Sequence, residues 1–128
     1  MSDTVANLLT IIRNGQMVGK ESVKVPYSNF SFNVAQMLQT CGFVKKVEKS
    51  GKTGKRYLEI TLLYTEAGEG KIRLMRRISR PGQRMYADYR TLRLTPGVVT
   101  IISTPKGLLT GAQAKKTKVG GEIVCEIR

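Results

Sequence analysis

The interval between apolar residues switches repeatedly in the first half of this chain, and that switching limits the fold more than any motif does. Val5, Leu8, Leu9 and Ile12 recur at helical spacing. They stand behind Ser2, Asp3 and Thr4, any of which can cap a helix, and Asn14-Gly15 is expected to end it. Val23 and Val25 then alternate around Lys24 until Pro26, which predicts a short strand. Phe30, Val34, Met37, Leu38 and Cys41 return to helical spacing, with Ser28 or Asn29 as cap and Gly42 as stop. Residues 43–49 and 56–64 are rich in β-formers and flank the polar turn Ser50-Gly51-Lys52-Thr53-Gly54-Lys55, so together they predict a hairpin. The first lobe therefore reads α-β-α-β-β.

Thr65-Glu66-Ala67-Gly68-Glu69-Gly70 interrupts an otherwise apolar and basic chain with two acids and two glycines, and is the expected linker. Beyond it the pattern is mainly extended. Residues 71–78, 84–86, 98–102 and 122–128 read as strands, separated by Arg80-Pro81-Gly82, Thr95-Pro96-Gly97 and Gly120-Gly121. Thr110-Gly111-Ala112-Gln113 fits a capping box, so a short helix is expected through Ala114 toward Lys116. The expected fold class is α+β, with an N-terminal lobe over residues 1–66 and a C-terminal, mainly β lobe with one short helix over residues 67–128.

Composition narrows the function. Lys and Arg number 22 against 9 Asp and Glu, a formal net charge of +13, and self-repulsion of that size calls for a polyanionic partner. Nucleic acid leads. A membrane is the other common polyanion, but no basic amphipathic helix gathers these cations and no apolar run approaches the roughly 18 residues of a span. With no basic signal region at its start, the chain is expected to be soluble and intracellular. It contains no His, which excludes a Ser-His-Asp hydrolase and an imidazole-built zinc enzyme. Cys41 falls in the apolar helical register and Cys125 alternates with Ile123 and Ile127, so both read as small core residues, and no metal site is expected.

Ser50-Gly51-Lys52-Thr53-Gly54 imitates the end of a phosphate-binding P-loop. Lys46 stands where that pattern needs a glycine, and a strand follows where it needs a helix, so the stretch reads as a turn. The cations form three groups: Lys45, Lys46, Lys49, Lys52, Lys55 and Arg56; Arg73, Arg76, Arg77, Arg80 and Arg84; and Lys115, Lys116 and Lys118. With few acids between them they predict phosphate contacts, which give affinity without choosing DNA or RNA. A regulator of duplex DNA would carry its cations on a recognition helix, and neither clear helix does. The loop Ser103-Thr104-Pro105-Lys106-Gly107 offers hydroxyls suited to ribose and base edges, a cation for phosphate and a glycine that permits close approach. The same residues also suit a polar turn. Tyr86 can stack on a base or pack, and Glu122 can orient a polar neighbour or simply begin a strand.

Arg77-Ile78-Ser79-Arg80-Pro81-Gly82, Arg84-Met85-Tyr86, Ser103-Thr104-Pro105-Lys106-Gly107-Leu108-Leu109-Thr110 and Gly120-Gly121-Glu122-Ile123-Val124-Cys125 resemble, in this order, motifs of the bacterial ribosomal protein S-eight family of the small subunit. Leu8 to Asn14 and Ser28 to Phe43 match more loosely. The resemblance implies a two-lobed α+β protein, without catalytic activity or cofactor, that binds the central domain of small-subunit ribosomal RNA and helps it fold beside neighbouring ribosomal proteins. In many bacteria the family also represses its own operon through a messenger element. The ribosome in question is that of a bacterium or of an organelle. Carried over residue by residue, Ser103, Thr104, Pro105, Lys106 and Gly107 would meet a bulged RNA helix, Tyr86, Arg84, Gly121 and Glu122 would frame the same surface, and Arg13, Asn14 and Lys24 would make a second contact. The chain departs from the family at Pro105, usually a serine, at Gly111, usually acidic, and at Leu94-Thr95-Pro96-Gly97-Val98, which replaces a glycine-rich approach to the loop.

Overall fold

The computed structural model describes residues 4–52 and 54–128, so the candidate caps Ser2 and Asp3 and the turn residue Thr53 lie outside the described residues. Two compact units emerge, Met1–Arg73 and Leu74–Arg128.

In the first unit the order is α1 (Thr4–Met17), β1 (Ser22–Pro26), α2 (Asn29–Thr40), β2 (Val44–Ser50) and β3 (Tyr57–Leu62). The strands form an antiparallel sheet in the order β1-β3-β2. Alternation fixes its buried face, which carries Val23, Val25, Leu58, Ile60 and Leu62. Val5, Leu8, Leu9 and Ile12 of α1 are buried too, as are Val34, Ala35 and Leu38 of α2. Each such Leu or Ile stabilises the fold by roughly 1.5–3 kcal/mol relative to exposure. Phe30 does not share this burial; Ser31 and Ala35 complete the stripe instead. Ser28 caps α2 by accepting a hydrogen bond from the Ser31 amide, and Gly42, at φ +82°, follows the helix end.

Asn14-Gly15 does not end α1. The helix runs on to Met17, and the chain turns at Gly19, with φ +73°. The glycine is required by packing: a Cβ on Gly15 would lie 2.5 Å from Val23 Cγ1 on β1. Among the described residues no helix follows the P-loop imitation: Lys55 and Arg56 lead from it into β3, in keeping with the missing glycine at position 46. Thr65 to Gly70 folds back as a tight turn, with the Thr65 amide donating to the Glu69 carbonyl at 2.7 Å and Lys71 donating to Leu63 at 2.9 Å. Gln16 of α1 then grips the backbone of Ile72 through both atoms of its amide group. The units part after Arg73, downstream of the 66/67 boundary read from the sequence.

The second unit contains β4 (Met75–Arg77), β5 (Tyr86–Ala87), β6 (Val99–Thr104), β7 (Gly107–Thr110), α3 (Gly111–Thr117) and β8 (Gly121–Ile127). Its sheet runs β4-β8-β6-β7, with β5 also pairing β8. The expected strand over 71–78 shortens to β4, because Ile72 is tied to Gln16 in the first unit. Leu92, Ile102 and Ala114 form a core cluster with Leu109, Val119 and Ile123 packed on it. Thr110 caps α3 in a complete capping box with Gln113, and Lys118 closes it in the left-handed conformation.

Candidate nucleic-acid interface

Register, more than any loop, assembles the candidate surface. Tyr86 of β5 and Ser103 of β6 both stand directly across from Glu122 on the intervening β8, so the three side chains share one face in a row. Such closeness needs glycine. A Cβ on Gly121 would fall 2.0 Å from the Ser103 carbonyl oxygen, and one on Gly120 would fall 2.4 Å from that of Ala87. The row opens on a depression of ≈ 610 Å³, which Asp88, Thr91, Thr104 and Pro105 also line.

Ser103-Thr104-Pro105-Lys106-Gly107 is a hairpin turn between β6 and β7, in which Thr104 faces Gly107 and Pro105-Lys106 occupies the tip. Gly107, at φ +99°, takes a conformation costly to other residues, and proline suits the first tip position. The Thr104 hydroxyl is consumed by the turn: it donates to the Gly107 carbonyl at 2.8 Å and accepts from the Lys106 amide at 3.1 Å. The Ser103 hydroxyl has no hydrogen bond among the described residues. Lys106 is exposed, and so is Tyr86, 71% accessible.

Glu122 is held firmly. Its Oε2 accepts from the Ser79 hydroxyl at 2.5 Å and from Arg84 Nη1 at 3.1 Å. Burial and repulsion from Arg84 pull the neighbouring Arg77 guanidinium below its ordinary value. With Asp88 and Glu122 on the depression and Lys106 and Arg84 beside it, the surface disfavours phosphate in its centre and favours it at the margin.

In the first unit, Asn14 and Lys24 line one depression of ≈ 780 Å³ with Gly15, Val18 and Lys20, whereas exposed Arg13 of α1 is outside that lining. The Lys24 ammonium lies 5.1 Å from the centroid of the Tyr57 ring. Sequence reading missed Ser79, Asp88 and Thr91. The first is a lone serine whose partner is distant in the chain, and the other two lie in a turn without apolar pattern.

The ribosomal protein S8 family matches residues 3–128. The chain belongs to that family. It is 43% identical to small ribosomal subunit protein uS8 of Acidovorax sp. strain JS42, over 99% of this chain and 98% of that one. Against the protein of the same name from Thermus aquaticus the identity is 41%, with 99% of each chain covered. It is 38% identical to uS8c of Cuscuta obtusiflora, over 98% and 97% of the two chains. Membership in the S8 family makes this a structural, RNA-binding protein of the ribosome and not an enzyme.

Proposed function

We propose that this protein binds the RNA of the small ribosomal subunit within its central domain, through the face built by Tyr86, Ser103 and Glu122. The observation that carries the reading is the row of ring, carboxylate and spare hydroxyl held in register across β5, β8 and β6. An exposed ring stacks on an unpaired base, the Ser103 hydroxyl meets a ribose or base edge, and Arg84 and Lys106 take phosphates at the margin. Gly107 and Gly121 keep the backbone thin where RNA approaches. Pro105 offers neither hydroxyl nor amide, so it shapes the turn. Arg13, Asn14 and Lys24 form a second, mainly electrostatic contact. Neighbouring small-subunit proteins are the other partners, and the messenger of its own operon competes for the same face.

Crosslinking in cells followed by sequencing of the attached RNA tests this. Reads should concentrate at one helical junction of small-subunit ribosomal RNA, with a minor peak in the operon messenger. Crosslinks spread without a peak, or a DNA footprint, would overturn it.

A further inference from the structure

Ser79 is among the most buried polar residues of the second unit, 2% exposed, and it lies between β4 and the Arg80-Pro81-Gly82 turn. Its backbone amide donates to the Ile123 carbonyl at 3.0 Å, and its carbonyl accepts from Arg77 Nε. Its hydroxyl has both roles filled: it donates to Glu122 Oε2 and accepts from the Met85 amide at 3.2 Å. The Ser79 side chain thus spans the two ends of a chain segment that leaves at Arg80 and returns at Met85, and whose interior is closed by the mutual backbone bonds of Arg80 and Gln83. The Ile123 amide then donates to the Met85 carbonyl at 2.9 Å, which seats Tyr86 opposite Glu122.

Both donors fall on the same oxygen of Glu122. Oε1 therefore has no hydrogen bond among the described residues, and the carboxylate cannot rotate without breaking two others. A fixed carboxylate acceptor beside an exposed ring repels phosphate and accepts from an amino group of a base or from a ribose 2′-hydroxyl. Resting on the RNA-binding reading above, we infer that Ser79 is a positioning residue for RNA selectivity. It holds Glu122 so that the free oxygen selects a nucleobase amino or sugar hydroxyl donor over phosphate.

The test compares dissociation constants for a central-domain ribosomal RNA fragment and an unrelated hairpin of equal length, on variants whose melting lies well above the assay temperature. In Ser79→Ala, the preference for the ribosomal fragment should fall about tenfold, through weaker binding of that fragment alone. The salt dependence should stay as in the wild type, because no cation is removed. Glu122→Gln should cost a similar factor, and the double variant no more than either single one. Ser79→Cys, near in size and a weaker donor, should fall between and carries the test if the alanine variant does not fold. An unchanged preference, equal weakening on both RNAs, or losses that multiply would overturn the inference. A wild type without preference would instead sink the RNA-binding reading, and this inference with it.

Discussion

Ser103 and Thr104 are neighbours in the chain, but the turn has spent only one of their hydroxyls. Ser103→Ala should lower affinity for the ribosomal fragment by about 1 kcal/mol and leave thermal melting unchanged, since it removes a hydroxyl that has no hydrogen bond among the described residues. Thr104→Ala removes two bonds that close the hairpin, so it should lower stability by about 1 kcal/mol, seen as a lower melting temperature before any RNA is added. Pro105→Ser should lower stability by about 0.4–1 kcal/mol through a freer unfolded chain, while RNA affinity holds or rises. The hydroxyls were legible in the sequence as chemistry. Their division of labour was not, because it depends on which oxygen the folded turn reaches. Cysteine shows the same gap: Cys125 is fully buried, whereas Cys41 is half-buried. Burial pushes the Cys125 thiol up to about 12 from its ordinary 9.0. The folded state thus keeps a proton that the unfolded state releases. The contribution is full below pH 9 and is lost as pH rises from 9 to about 12. Denaturant titrations of the wild type and Cys125→Ala across that range should show the wild type losing stability more steeply with pH.

At the scale of elements, what was readable is what is local. Ser28 and Thr110 cap as their spacing says, since a cap and its amide lie within three residues. The β2–β3 hairpin follows from its turn and flanking β-formers. The misread elements depend on distant partners. The signal at Gly15 is that of a helix end, yet what demands glycine is Val23 on the next strand. β7 has no alternation of its own and is a strand only because β6 pairs with it. Ser79 matters through Glu122, 43 residues away in the chain. Gly15→Ala tests the first of these. Helix propensity alone favours Ala by about 1 kcal/mol, but the new Cβ would press on a stiff, buried Val23, and overpacking costs about 1–3 kcal/mol. The variant should therefore be less stable in urea unfolding despite its better helix former. A more stable variant would mean that β1 can give way.

Across the whole molecule, the charge of +13 is uneven in what it can do. Some cations are already engaged: Lys46 pairs with Glu48 at 2.5 Å, which raises its pKa, and Lys49 lies 4.3 Å from the centroid of the Phe32 ring. Lys45 differs. It is exposed and sits where the β2 register shifts between Val44 and Lys46, so the bulge turns it off the ladder, and it pairs with no acid among the described residues. A cation with a local partner gives up that pairing when it meets phosphate, whereas an unpaired one gives up only water and counterions. Lys45→Ala should consequently weaken binding more than Lys46→Ala does. The loss should be similar on the ribosomal fragment and on an unrelated hairpin, because phosphate contacts position a protein without reading sequence. Every phosphate deprived of its cation should also flatten the plot of log affinity against log salt by roughly 0.7–0.9. Titrating both variants on both RNAs over a salt series gives the comparison, with Ser103→Ala as the counterpart that loses selectivity at constant slope. Were Lys45→Ala to discriminate between the RNAs, the β2–β3 hairpin would be reading structure, and selectivity would not be confined to the row of Tyr86, Glu122 and Ser103.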